Sequence, residues 1–258
     1  MKQKNNNNNK KGSSNQRQQS KRLRRQYHLP EHLASRVSNG EMTLKDAIAK
    51  NREQQMSSHL MTKHQLSHSD AIQVARGSLD LQKAIFDTQF RNHFATHEFR
   101  SILQQSFDEQ IPISLYLHNI ESIDGIVSNL DKYEITISNQ SLDSEISEIS
   151  ETNSQVIHKL QIKACRLLSS QHLPETLGTT AAPPIEHPRD RFHISTKHLF
   201  SIHRDASSVR FTLLEGMIVK GTISWVGRFA IGIIDCRGQE IVIYRHALTA
   251  FELEKVEK

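Results

Sequence analysis

The stretch PISLYLHNIESIDGIVSNLDKYEITI, residues 112–137, has a clear strand pattern. Apolar residues at alternate positions with many β-branched side chains predict half-buried strands. Asp124-Gly125 favours a sharp bend within a strand, and Asp131-Lys132 favours a hairpin turn between two strands. These residues therefore predict a three-stranded antiparallel meander with a bent middle strand. The alternating apolar residues include Ile113, Leu115, Leu117, Ile135 and Ile137.

A second stretch repeats this pattern. Residues 209–251 are VRFTLLEGMIVKGTISWVGRFAIGIIDCRGQEIVIYRHALTAF. Lys220-Gly221 corresponds to Asp124-Gly125, and the segment 226–229 corresponds to 130–133. Arg237-Gly238 predicts a further turn, after which residues 241–244 predict one more strand. The chain therefore contains two copies of one strand arrangement.

Together the two stretches resemble the Sm-like fold, and most closely the bacterial RNA chaperone family Hfq. PISLYLHN resembles the first strand of that family, LDKY at 130–133 resembles its Phe-Asp-Gln-Phe turn, and YRHA at 244–247 resembles its Tyr-Lys-His-Ala motif. The resemblance covers roughly residues 105–165 and 192–252. It implies an α+β chain in which a helical N-terminal region precedes two small five-stranded bent antiparallel β barrels, each preceded by a helix.

The resemblance also implies a set of RNA-binding residues. In the family, the turn aromatic stacks on a base of uridine-rich RNA, while the Lys and His of the last motif bind the base edge and phosphate. The second copy matches this set with Phe229, Arg245 and His246, whereas the first copy has Leu160 where the His belongs. The second copy is therefore expected to bind the base. The implied RNA-binding residues are Phe229, Arg228, Tyr244, Arg245, His246, Tyr133, Lys159 and Tyr116.

Open sheet edges require partners. The family closes six barrels into a ring, so two copies per chain imply a homotrimer that forms a pseudo-hexameric ring. A head-to-head pairing of the two copies within one chain, or a dimer, remains an alternative.

Amino-acid composition limits the folds and the cellular locations that the chain can have. In 258 residues, 36% are hydrophobic and 6% aromatic, which favours several small cores over one large core. No apolar run approaches the roughly 18 residues of a membrane span, and the N-terminus lacks the apolar segment of a signal peptide. A cytoplasmic protein is expected, with Cys165 and Cys236 as reduced packing residues.

The positive charge is concentrated at the N-terminus. Residues 1–25 hold nine of the 33 Lys and Arg and no Asp or Glu. The Asn-rich composition of 1–26 predicts a disordered tail. Such a tail could contact RNA phosphates without reading sequence, or it could only increase solubility. The candidate phosphate-contacting residues are Lys21, Arg22, Arg24 and Arg25.

Residues 27–97 predict a helical domain with an internal repeat of 37 residues. Ala34–Ile48 aligns with Ala71–Ile85, and each copy places a glycine between two helices. Thr43 and Asp80 are the expected N-caps of the second helices, and Ser67 is the expected N-cap of the next repeat. These repeats predict either a partner-docking domain or a DNA-binding helix–turn–helix pair.

Segment boundaries follow from composition. Residues 98–168 form the first expected Sm-like domain, opening with an amphipathic helix over 98–107 and carrying an acidic loop at 138–154. The Pro-rich segment 169–191 predicts a linker. Residues 192–253 form the second expected domain, which begins with a short helix over 195–204.

Histidine is frequent, with 15 in the chain. The spacing of His64/His68 and His93/His97 is compatible with a shared metal ion, but neither pair has further ligands nearby, and solvated histidines are expected instead. No nucleophile–base pair, carboxylate pair or phosphate loop is evident, so neither an enzyme nor a cofactor is expected. The sequence favours an RNA-binding post-transcriptional regulator or RNA chaperone for single-stranded uridine-rich RNA. The alternatives are an Sm-like adaptor that docks a protein partner through its helical repeats, or a DNA-binding regulator.

Overall fold

The structure is a computed structural model that describes residues 8–118, 120–138, 154–168 and 192–254. The chain forms two compact units, Met1–Gln89 and Phe90–Lys258. No helix in the described part of the chain is both long and apolar enough to cross a membrane.

The first unit is helical. Its helices are α1 (Asn8–Tyr27), α2 (Glu31–Ser38), α3 (Leu44–His64) and α4 (His68–Ala75), followed by the start of α5 (Leu81–His97). Two small cores hold these helices. One contains Leu23, Leu29, Leu33, Ala34 and Ala47, and the other contains Leu60, Leu66, Ala71, Val74 and Ala84.

The two repeats have matching ends. Gly40 and Gly77 follow α2 and α4 with φ of 76° and 72°, a conformation that favours glycine. The predicted caps are confirmed: the Thr43 hydroxyl accepts the Asp46 amide at 3.1 Å, and the Asp80 carboxylate accepts the Lys83 amide at 2.9 Å. Each repeat is therefore a short helix, a glycine turn and a capped longer helix.

The N-terminal segment differs from the expected disordered tail. Residues 8–27 form α1, while residues 1–7 lie outside the described part. Gln, Arg and Lys have good helix propensity, and the single aliphatic residue of this segment, Leu23, is only 9% exposed because it packs in the first small core. One well-placed leucine therefore anchors a helix that composition alone does not predict.

In the described residues, the second unit contains the end of α5, a sheet and the helices α6 (Ile102–Glu109) and α7 (Thr196–Arg204). Its ten antiparallel strands lie in the order β10-β6-β7-β8-β9-β5-β1-β2-β3-β4. In chain order they are β1 (Ile113–Leu117), β2 (Ile120–Leu130), β3 (Glu134–Ser138), β4 (Ser154–His158), β5 (Ile162–Leu167), β6 (Ser208–Leu213), β7 (Ile218–Val226), β8 (Ala230–Ile234), β9 (Glu240–Tyr244) and β10 (Leu248–Leu253).

The strand order repeats. In each half of this unit, residues 102–167 and 196–253, the strands lie in the order fifth, first, second, third, fourth. The halves join through β5 and β9, where Ala164 lies opposite Ile243 and Cys165 opposite Val242. The described strands form one open sheet, whereas the sequence predicted two barrels. The physical reason is that β5 and β9 satisfy each other's hydrogen-bonding edges.

The cores of the two halves interpenetrate. Tyr116 and Ala164 from the first half are buried in the cluster formed mainly by the second half. Conversely, Trp225 and Val242 from the second half are buried in the first-half cluster. The two halves therefore pack as one body.

Gly221, where the sequence predicted a bend in the second copy, lies against a closely packed neighbouring strand. Gly221 lies in β7 opposite Val209, and a Cβ atom there would overlap the carbonyl oxygen of Ile234. Only glycine lets β8 approach β7 this closely.

Several boundaries differ from those expected. The helical domain was predicted to end at 97, yet the unit boundary falls within α5, because Phe90 and His93 pack on Phe200 with ring centroids 5.6 and 5.1 Å apart. The helix predicted from 98 begins at Ile102, where the Ser101 hydroxyl caps it.

Other expectations fall partly or wholly outside the described residues. The acidic loop enters the described residues only at its ends, Ser138 and Ser154, which pair as strand residues, and the linker 169–191 lies outside them. Helix α7, expected over 195–204, spans Thr196–Arg204 and is capped by the Ser195 hydroxyl. Cys165 is buried as expected, but Cys236 is exposed in a turn and is not a packing residue.

Candidate nucleic-acid interface

Two exposed aromatic side chains occupy equivalent turns. Tyr133 lies between β2 and β3 and is 60% exposed, and Phe229 lies between β7 and β8 and is 61% exposed. The Tyr133 carbonyl accepts the Lys159 amide at 2.8 Å, and the Phe229 carbonyl accepts the Arg245 amide at 2.9 Å. Both halves therefore place a cationic residue behind an exposed aromatic turn through the same backbone contact.

The turn of the first half carries further groups around its ring. The Lys132 ammonium lies 4.8 Å from the centroid of the Tyr133 ring. The His158 ring is parallel to that of Tyr133 within 3°, with centroids 6.5 Å apart. His158 Nδ1 accepts the Leu160 amide at 3.2 Å, so its proton lies on Nε2. Sequence reasoning missed His158, although it could have been found as the residue aligned with Tyr244.

Lys159 points back to its own turn. Its ammonium donates to the carbonyl oxygen of Asp131. Burial lowers the pKa of Lys159, and the nearby Asp131 carboxylate opposes that effect. Lys159 therefore stabilises the turn that presents Tyr133.

The turn of the second half is held from the segment after α5. Arg228 donates its amide to the Glu98 carbonyl at 3.0 Å, and its guanidinium lies 3.7 Å from the Glu98 carboxylate. The same guanidinium lies 5.4 Å from the centroid of Phe229. Arg228 thus combines a cation–π contact with an exposed charge, as Lys132 does in the first half.

Arg245 is occupied by internal contacts. Its guanidinium donates to the Thr196 hydroxyl at 2.9 Å and to the carbonyl oxygen of Ile194. Burial lowers the pKa of Arg245. The sequence predicted that Arg245 binds RNA. In the structure, its side chain instead connects the start of α7 to the end of β9 through hydrogen bonds.

Tyr244 and His246 lie at the junction of the halves. The Cys165 thiol donates to the Tyr244 hydroxyl at 3.8 Å. Burial raises the pKa of Tyr244 well above its usual value and that of the Cys165 thiol to about 12. The half-buried His246 ring lies 5.7 Å from that of Tyr244. These residues are placed to support the β5–β9 joint more than to face a ligand.

Tyr116 is not placed as the sequence predicted. It is only 9% exposed and packs in the core shared by the halves, with the Arg166 guanidinium 6.0 Å from its ring centroid. A buried ring cannot stack on an RNA base. The alternation of β1 identified two faces, but the second half covers the face that Tyr116 occupies.

The four candidate phosphate-contacting residues all lie exposed on α1. Arg24 forms an exposed ion pair with Glu31 at 3.1 Å. The other three are Lys21, Arg22 and Arg25.

The first histidine pair agrees with the expected solvated arrangement, since His68 is exposed and His64 half-buried, whereas His93 of the second pair differs from it. His64 ends α3, and Gln65 then turns with φ of 54°, so His64 and His68 do not share a helix face. His93 Nε2 accepts the Val226 amide at 3.0 Å, and burial, with repulsion from His203 and His97, lowers the pKa of His93 to about 4. Among the described residues, no group of three or more His, Cys, Asp or Glu could hold a metal ion.

Comparisons with known proteins add little to this geometry. No protein-family model matches the chain, and no curated protein matches it. Among solved structures, the chain is similar to a crystal structure of the pleiotropic translational regulator Hfq. The match has 24% identity and a TM-score of 0.22, and it covers 24% of this chain and 92% of that one. At this TM-score the similarity carries no argument.

Proposed function

We propose that the second unit binds single-stranded RNA by stacking bases on Tyr133 and Phe229, and that the protein acts as a post-transcriptional regulator or RNA chaperone. The observation that carries this proposal is the equivalent placement of two exposed aromatic rings, each with a cation against it. Exposed aromatic rings beside cations are what single-stranded RNA requires, because unpaired bases stack on the rings while cations attract phosphates.

Both halves contribute to the proposed interface. The sequence favoured the second half because of Arg245 and His246, but the internal contacts of Arg245 remove that preference. Tyr133 has Lys132 and His158 beside it, so the first half offers a comparable site. The preference for uridine-rich RNA rests on the resemblance of the turns and of YRHA to the family.

Crosslinking tests where RNA contacts the protein. A hexauridylate carrying 4-thiouridine is irradiated with the full chain, and the modified peptides are identified by mass spectrometry. Adducts are expected on peptides that contain Tyr133 and Phe229, because a stacked base lies in van der Waals contact with these rings. Adducts confined to the helical unit would contradict the proposal, and recovery of protein partners without RNA would favour the adaptor alternative.

We also propose that three chains close into a ring. In the described sheet, β4 and β10 are the edge strands. They correspond to β9 and β5, which already pair with each other inside the chain. The same pairing between chains would place Ala250 opposite Ile157 and Phe251 opposite Val156. The 62% exposure of Val156 supports a partner at this edge.

Light scattering tests this assembly. The expected mass is about 89 kDa, three times the chain mass of 29.6 kDa, because a head-to-tail interface either closes into a ring or grows without limit. Val156→Lys should reduce the mass to that of one chain, since a charge on an edge strand opposes pairing. Phe99→Lys, a change at a 69% exposed residue away from both edges, is the control. A monomeric wild-type protein would contradict the proposed ring.

A further inference from the structure

The described part of α1 presents a dense basic surface. Residues 1–25 hold nine of the 33 Lys and Arg and no acid, which leaves 24 basic against 28 acidic residues in the rest of the chain. Seven of these nine basic residues lie on α1, so the helix concentrates positive charge that attracts phosphates. Lys21, Arg22 and Arg25 are exposed and surround a shallow depression with Gln18 and Gln26.

We propose that α1 is a preformed binding helix for the double-helical stems of RNA, separate from the aromatic turns that bind unpaired bases. That the double helix is RNA rests on the proposed function. The ligand chemistry is a paired polyphosphate backbone with ribose 2′-hydroxyl groups.

The side chains of α1 select this ligand. Between residues 14 and 26 there is no aromatic residue, so this face cannot stack on unpaired bases. Its Lys and Arg side chains can contact phosphates, and the amides of Gln18 and Gln26 can bond ribose hydroxyls. Double-stranded RNA is recognised mainly through its phosphates, its 2′-hydroxyl groups and its shape.

The packing of α1 argues against a membrane surface. A membrane-bound helix inserts an apolar face, yet the single apolar residue between 14 and 26 is Leu23, which is buried in the unit's own core. That anchor also gives the helix its order before any ligand binds. A preordered surface avoids the entropic cost that a disordered arm incurs on binding.

The test is a charge-matched pair of full-length variants. Lys21→Gln/Arg22→Gln/Arg25→Gln removes three charges from α1 while keeping helix propensity, which circular dichroism checks. The control, Lys45→Gln/Lys50→Gln/Arg52→Gln, removes three charges from exposed positions of α3. The probes are a 20-base-pair RNA stem, a DNA duplex of the same sequence and a uridine hexamer.

The α1 variant should bind the RNA stem at least tenfold more weakly, and the slope of log affinity against log salt should fall by roughly 2 to 3. The control variant should stay within threefold of the wild type, and the hexamer should lose less than threefold with either variant. Unchanged stem binding, an equal loss in the control, or an equal loss for the hexamer would overturn the inference. DNA binding as tight as RNA binding would overturn the assignment to RNA. If the proposed function were wrong, the hexamer would instead bind independently of Tyr133 and Phe229.

Discussion

Replacement of Glu215 with Gln is expected to lower the free energy of unfolding of the second unit by about 3 kcal/mol. Glu215 follows β6 in the second half, and its carboxylate accepts the Lys163 ammonium at 2.7 Å and also contacts His118 Nδ1. The Lys163 side chain is only 9% exposed. Without the carboxylate, this ammonium stays buried in the first half and loses the opposite charge that the second half supplies.

Urea denaturation followed by Trp225 fluorescence measures this effect, because Trp225 is the only tryptophan and is buried in the shared core. Glu252→Gln is the control, since its pair with Arg210 is 3.7 Å long and more exposed, and it should change stability by less than about 1 kcal/mol. The double variant Lys163→Met/Glu215→Gln should recover part of the loss. If Glu215→Gln and the control variant were equally stable, the result would contradict a stabilising role for this contact between the halves. Two separate unfolding transitions, one for each half, would contradict it as well.

Local patterns in the sequence were sufficient for the strands and turns. Period-2 apolarity and the two aligned turns placed Tyr133 and Phe229 at corresponding positions, where the structure also has them. The β5–β9 joint was not identified, because pairing between strands that are distant in sequence leaves no local pattern. Helix α1 was missed because a composition that predicts disorder can be overridden by one packed leucine, Leu23.

The candidate site was only partly predictable for a related reason. Alternation assigns residues to two faces of a strand, but it does not say which face another half covers. Tyr116 therefore looked available for stacking although it is 9% exposed. Similarly, a motif match identifies Arg245 by type, whereas only the fold reveals that Thr196 and Ile194 occupy its guanidinium.

The double variant Tyr133→Ala/Phe229→Ala is expected to weaken uridine-rich RNA binding by about 2 to 4 kcal/mol, roughly thirtyfold or more, because each stacked base contributes about 1–3 kcal/mol. Both side chains are about 60% exposed, so their removal should leave the unfolding transition unchanged. Tyr133→Phe should bind as the wild type does, since it keeps the ring. Met56→Ala, at a 48% exposed side chain on α3, is the control.

The affinity of a labelled uridine hexamer, measured by fluorescence anisotropy at one fixed salt concentration, tests the proposed function most directly. The expected result is that Met56→Ala and Tyr133→Phe stay within twofold of the wild type, while Tyr133→Ala/Phe229→Ala loses thirtyfold or more. Wild-type affinity in the double variant would contradict the assignment of RNA binding to these two turns.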